Sequence, residues 1–190
     1  MPKRPEQTAI TVENLKQAFW SLYCNTPIEK ISVAQVTQAA GYNRGTFYLH
    51  FRDIYDVLRS VEDDVLDGMR VCVQTCMESL DAGIDPESAM QQVLSFYEEH
   101  REYLVVLLGE NGDPSFVVEL KRQLKPLWAT YVLKRPAQEG LRDATDGETD
   151  FILEYTLSGT LFMVRRWLEN PHGVSAEKLL HLIYHSAIEH

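Results

Sequence analysis

Apolar positions recur along most of the chain with the period of a helix and not with the alternation of a strand. Leu15, Ala18, Phe19 and Leu22 stand at i, i+3, i+4 and i+7, so a first helix has one apolar face, and Pro27 ends it. Ser32 with Gln35 spells a capping box opening a short second helix that turns Val33, Val36, Ala39 and Ala40 inward. Gly41 closes that helix, because so tight a turn needs a residue at ease with positive φ. Asn43 can cap a third helix running to about His50. Asp53 and Asp56 begin a long fourth helix through Ile54, Val57, Leu58, Val61, Val65 and Leu66 to about Leu80.

Asp85 and Pro86 then cap and start a helix carrying Met90, Val93, Leu94 and Tyr97, which continues or breaks near His100 into Tyr103–Leu108. A turn cluster follows at 109–114. Phe116 to about Leu133 reads as helix, with a kink expected at Pro126, and 135–149 is the most loop-like stretch. Two last helices, about 149–169 and 175–188, are separated by Asn170-Pro-His-Gly, the second capped by Ser175. The pattern predicts an all-α fold of about nine helices, and the spread of charge along the chain divides it into a domain over 1–59 and a larger helical domain over 60–190.

Composition narrows the class. The chain has 190 residues, 45% of them apolar and 24% charged, which supports a packed core and rules out wholesale disorder. No run of apolar residues is long enough for a membrane span, and Met-Pro-Lys-Arg-Pro has no apolar stretch behind it, so neither a span nor a secretory leader is expected. Three cysteines make no disulfide framework and suit a reducing cytoplasm. The net charge of −10 is unpromising for a partner of nucleic acid, but it is unevenly spread. Residues 1–59 carry seven basic and five acidic side chains, whereas 60–190 carry 11 basic and 23 acidic ones. A mildly basic head on an acidic body fits a protein that touches phosphate at one end.

No hydrolase, phosphate-loop or zinc-protease signature occurs, and no enzyme activity or cofactor is expected. Cys72 with Cys76, and His181 with His185 near His172 and His190, have the one-turn spacing of metal or redox pairs. Neither has a third and fourth ligand at fitting spacing, so no metal is expected. Glu98, Glu99 and Glu102 read as a solvated helix face.

The informative stretch is Ser32–Phe51, SVAQVTQAAGYNRGTFYLHF. Two short helices around a glycine-containing turn match a helix-turn-helix, whose second helix enters the major groove. Asn43, Arg44, Thr46, Tyr48 and His50 supply hydrogen-bonding groups there, Phe47 and Phe51 can anchor the helix to its core, and Gly45 lets backbone approach phosphate. NRGTFYLHFRDIYDVL, with Leu15, Ala18, Phe19 and Ile31-Ser-Val-x-x-Val-x-x-Ala-Ala-Gly upstream, resembles the DNA-binding domain of the TetR family of transcriptional regulators. The resemblance covers about residues 8–68; beyond it only the architecture is similar.

That resemblance implies a ligand-responsive regulator, most simply a repressor, binding a short inverted repeat in double-stranded DNA as a homodimer. It implies phosphate contacts from Thr46, Tyr48 and His50, and from Ser32 and Thr37. It implies base-edge reading by Arg44 with Asn43, and a thymine-methyl or sugar contact from Tyr42. The family pattern usually has a lysine where Ile54 stands; Arg52 is the implied substitute. An effector pocket is implied in the body, with Met69, Val73, Leu94, Tyr97, Phe116, Trp128 and Tyr131 as candidate linings. Phe151, Tyr155, Gly159, Phe162, Met163, Trp167, Leu179, Leu182 and Ile183 of the last two helices are the implied dimer face, with Ser158-Gly159-Thr160 allowing close approach. The alternative is a co-activator or protein-binding member of the same fold that does not bind DNA alone.

Overall fold

The computed structural model of the chain describes residues 5–109, 112–132 and 145–189. Among them there are eight α-helices and no strand: α1 (Pro5–Tyr23), α2 (Val33–Ala40), α3 (Arg44–Tyr48), α4 (Ile54–Asp81), α5 (Pro86–Leu107), α6 (Pro114–Val132), α7 (Asp146–Glu169) and α8 (Ala176–Ile183). A 3₁₀ turn at Ile28–Lys30 precedes α2, and a π-helical segment, Tyr184–Glu189, continues α8. The chain divides into two compact units, Met1–Asp64 and Val65–His190.

In the first unit, the head, Leu15 and Phe19 of α1, Val36 of α2, Phe47 of α3 and Val57 of α4 are fully enclosed. Phe19 stacks on Tyr23 with ring centroids 5.4 Å apart, and Phe47 lies 5.8 Å from Phe51. Each helix boundary has a chemical cause. Ser32 Oγ accepts from the Gln35 N–H while the Gln35 side chain accepts from the Ser32 N–H, completing the capping box of α2. Gly41 ends α2 at φ 72°, a left-handed conformation that costs a residue bearing Cβ. At the start of α4 the Asp53 carboxylate accepts from the Asp56 N–H, and Asp56 accepts from the Arg52 N–H. Lys16, almost buried in α1, donates to the Ser60 carbonyl at 3.2 Å and pairs with Asp64, tying α1 to α4.

The second unit, the body, is built on long helices. Leu107, Phe116, Leu120 and Leu157 are the largest of its fully buried side chains among the described residues. Helices α6 and α7 are joined by the Trp128 indole N–H donating to Thr156 Oγ1 at 3.0 Å and by the ion pairs Lys121–Glu154 and Lys125–Asp150.

Several boundaries differ from those the sequence suggests. Helix α1 ends at Tyr23, four residues ahead of Pro27, and α3 ends at Tyr48. Of the two courses the sequence leaves open for α5, the structure takes the continuous one, unbroken past His100, since nothing between Glu87 and Leu107 is a proline or glycine. Helix α7 starts at Asp146 because Thr145 and Glu148 form a full capping box. Helix α6 begins at Pro114, where Asp113 accepts from the Ser115 N–H. Most of the loop expected over 135–149 lies outside the described residues, as do Leu133, His190 and the Tyr131 side chain.

Candidate nucleic-acid interface

Helix α3 is five residues long and could not stand alone; its cap and its anchor hold it. Asn43 Oδ1 accepts from the Thr46 N–H at 2.8 Å and from the Thr46 hydroxyl at 3.3 Å. A Cβ at Gly45 would come within 3.1 Å of that oxygen, so glycine here first serves the cap. Phe47 is wholly buried and meets Tyr48 edge-on at 5.5 Å. With the anchor inside, Asn43, Arg44, Gly45, Tyr48 and Leu49 are left on the surface, Tyr48 at 59% exposure. Tyr42, at the helix entrance, is half-buried, and its hydroxyl accepts from Asn14 Nδ2 at 3.0 Å, which fastens the turn to α1.

Charge on this face is positive and available. Among the described residues Arg44 has no carboxylate partner within 4 Å, so its guanidinium can take a base edge or a phosphate. Arg52 is almost fully exposed and sits 3.7 Å from Asp56, which Arg59 holds more closely at 3.1 Å. The Arg52 N–H, helped by the two guanidinium groups, keeps the Asp56 carboxyl below the usual carboxylate range. Asp56 is thus an internally neutralised cap and a weak source of repulsion. Ile54, standing where the family pattern has lysine, is buried in the head.

Three candidates sit differently from their expected roles. Thr37 is 4% exposed and its hydroxyl donates to the Val33 and Ala34 carbonyls, so it stabilises α2 from within and presents nothing to phosphate. Ser32 is exposed, but its oxygen is engaged in the capping box. His50 is half-buried with Nε2 enclosed and unpartnered, so any phosphate contact there falls to Nδ1. Leu49, which sequence reasoning passed over, is 71% exposed beside Tyr48. Its apolar character pointed to the core, and only the short length of α3 turns it out.

A family model described as a transcriptional regulator C-terminal region, of TetR type, matches residues 85–188, more than half of the chain. The chain belongs to the TetR family. The uncharacterised helix-turn-helix-type transcriptional regulator YxbF of Bacillus subtilis is 23% identical over 168 residues, 87% of this chain. The helix-turn-helix-type transcriptional repressor KstR2 of Mycolicibacterium smegmatis is 21% identical over 188 residues, 94% of this chain. The chain spans 41% of the Bacillus protein's length and 89% of the mycobacterial one's. The crystal structure of a TetR transcriptional regulator from Streptococcus agalactiae superposes with a TM-score of 0.67 at 21% identity, covering 96% of both chains, so the fold is shared.

In this TetR-family body the expected pocket residues separate. Met69, Val73 and Trp128 line an apolar cavity of about 160 Å³, together with side chains of α4 to α8. Leu94 lines a small adjoining cleft with Glu87 and Glu177. Tyr97 packs edge-on against Trp167 at 5.1 Å and Phe116 is solid core, so neither reaches the cavity. The sequence missed Cys76, Met77 and Leu80, although they continue the Met69–Val73 row at helical spacing. Burial pushes the Cys72 and Cys76 thiols up to about 11, which keeps them protonated at neutral pH. Among the described residues no three potential metal ligands come together, and no helix is long and apolar enough to cross a membrane.

The expected dimer face separates too. Phe151, Tyr155 and Phe162 are 78%, 79% and 68% exposed along one side of α7, with Gly159 between Tyr155 and Phe162, where a Cβ would meet no neighbouring side chain within 4 Å; Met163 is half-buried. Leu182 is exposed on α8, whereas Leu179 and Ile183 are each 8% exposed and belong to the body's own core. Trp167 is held internally, its indole N–H donating to the Val174 carbonyl at 2.7 Å.

Proposed function

We propose that the protein is a homodimeric transcriptional repressor that lays α3 of each protomer in the major groove of a short inverted repeat and releases it when a small molecule occupies the body cavity. The observation that carries this reading is Arg44, an exposed guanidinium with no ion-pair partner among the described residues, on the first turn of a capped, core-anchored helix in a helix-turn-helix. Asn43 and Thr46 spend part of their hydrogen-bonding capacity on the cap; Tyr48, Arg52 and the backbone at Gly45 remain for phosphate. Tyr42 and Leu49 suit sugar or thymine-methyl contacts.

The aromatic row of α7 supports dimerisation. Three large aromatics on one helix face make a contiguous apolar patch of the kind that marks an interface. A two-fold pairing of such helices is self-complementary and would set two heads about 34–36 Å apart on adjacent turns of DNA. Five cavity residues (Met69, Val73, Cys76, Met77 and Leu80) lie on α4, the helix that begins in the head, which gives a ligand a route to head spacing. Its effect equals its differential affinity for the two spacings and nothing more.

The test is selection of binding sites from random duplex DNA by the purified chain. An enriched inverted repeat is expected. Arg44→Ala should lose about 1–3 kcal/mol per half-site and relax preference at one base position, without change in thermal stability. No enrichment, or an unchanged preference in the variant, would overturn the reading.

A further inference from the structure

The cavity in the body says what it would hold. Its volume of about 160 Å³ is close to that of an engineered apolar cavity known to stay dry and bind benzene. Among the described residues the surface it exposes is apolar, although Thr160 and Tyr184 stand among its lining side chains. Trp128 lines it with ring carbons, because its N–H is already given to Thr156 Oγ1 at 3.0 Å. Met69, Met77 and Met90 supply thioether surface that re-packs around different shapes. The Cys76 thiol, also in the wall, is held neutral by burial. The adjoining cleft shares Met90 and Leu180 with the cavity and carries Glu87, Glu177 and His181. A ligand reaching out of the cavity in that direction meets two carboxylates.

From this chemistry we infer that the cavity takes an uncharged, hydrocarbon-like molecule of about one aromatic ring with a short chain, and that it rejects carboxylates most strongly. This rests on the cavity being the effector site of the proposed regulator and names the ligand class for it. A charged group inside such a wall would lose its hydration with nothing to replace it. A carboxylate pointed outward would face Glu87 and Glu177, whereas an ammonium there would find partial compensation.

The experiment is calorimetric titration of the full chain, without DNA, using three probes of one skeleton: propylbenzene, 3-phenylpropylamine and 3-phenylpropanoate, at pH 7. Propylbenzene should bind one to one, the amine should bind more weakly, and the carboxylate should be weaker than propylbenzene by at least about 100-fold. Val164→Phe, which pushes a ring into the cavity, should abolish propylbenzene binding while leaving the helical signal intact. Absence of propylbenzene binding, or a carboxylate equal to or tighter than it, would overturn the inference; the series on the unaltered chain decides this even if the variant fails to fold. Because no DNA is present, ligand selectivity can stand while the regulator reading falls, and the reverse.

Discussion

Head and body solve the same problem, burying helix faces, in opposite ways. In the head Phe19, Phe47, Leu15, Val36 and Val57 are fully enclosed, and the short helices α2 and α3 are each capped by a side chain a few residues away. The body leaves a hollow of about 160 Å³ between its helices and an uncovered aromatic row on α7. A unit proposed to present one rigid polar surface gains from dense packing, because α3 has only five residues and takes its order from the Phe47 anchor and the Asn43 cap. A unit that must respond has to keep space and a face for something else.

Core truncation should show the contrast most strongly. Phe47→Ala removes the anchor of α3 and should cost about 3–5 kcal/mol, measured by urea unfolding, with DNA binding lost in parallel. Overpacking should then change sign between the two units. Ala18→Leu in the filled head should destabilise by about 1–3 kcal/mol. Val164→Phe in the hollow body should stabilise by about 0.5–2 kcal/mol. Equal signs for the two would mean that the cavity is not real space at equilibrium. Removing the α3 cap by Asn43→Ala should cost about 1 kcal/mol and lower DNA affinity through disorder of α3, with base preference retained.

How legible each unit is in the sequence follows the same division. Ser32-x-x-Gln35, Gly41, Asn43 and Asp53 act within one turn of their own positions, and each does in the structure what its residue type predicts. Thr145 and Glu148 carry an equally plain signal that went unread beside a stretch of loop-like composition. Side-chain destinations were harder. Thr37 and Leu49 take the opposite places to those their polarity suggests: Thr37 is buried because its hydroxyl is satisfied by the Val33 and Ala34 carbonyls of its own helix, and Leu49 is exposed because it lies just past the short α3. In the body, Tyr97, Phe116, Leu179 and Ile183 share the helical spacing of their neighbours. Whether such a residue faces a cavity, a second chain or its own core depends on long-range packing that periodicity does not encode.

Acid gives the smallest and most graded comparison. Asp56 in the head, and Asp85, Glu119, Glu148 and Glu154 in the body, all titrate below their ordinary values. Asp85 and Glu148 are lowered first by backbone N–H groups at helix starts, Glu154 by Lys121, and Glu119 by Arg122 down to about 2. A depressed folded pKa means that the stabilisation is fully present above the ordinary values of 3.8 and 4.5 and is lost as pH falls through the folded ones. Between about pH 4.5 and 2 the body should therefore loosen before the head, read as faster amide exchange in α5 to α7 than in α1 to α3. Asp85, Glu148 and Glu154 are solvent-exposed and Asp56 and Glu119 only half-buried, so the effect should be modest.

The most direct trial of the account is the salt dependence of binding to the selected inverted repeat, measured by fluorescence anisotropy between 50 and 200 mM salt. Two heads making about 6–10 phosphate contacts predict a fall of about 10³- to 10⁵-fold, with a shallower slope for Arg52→Ala. An affinity that stays flat across that range would contradict the claim that α3 meets DNA at all.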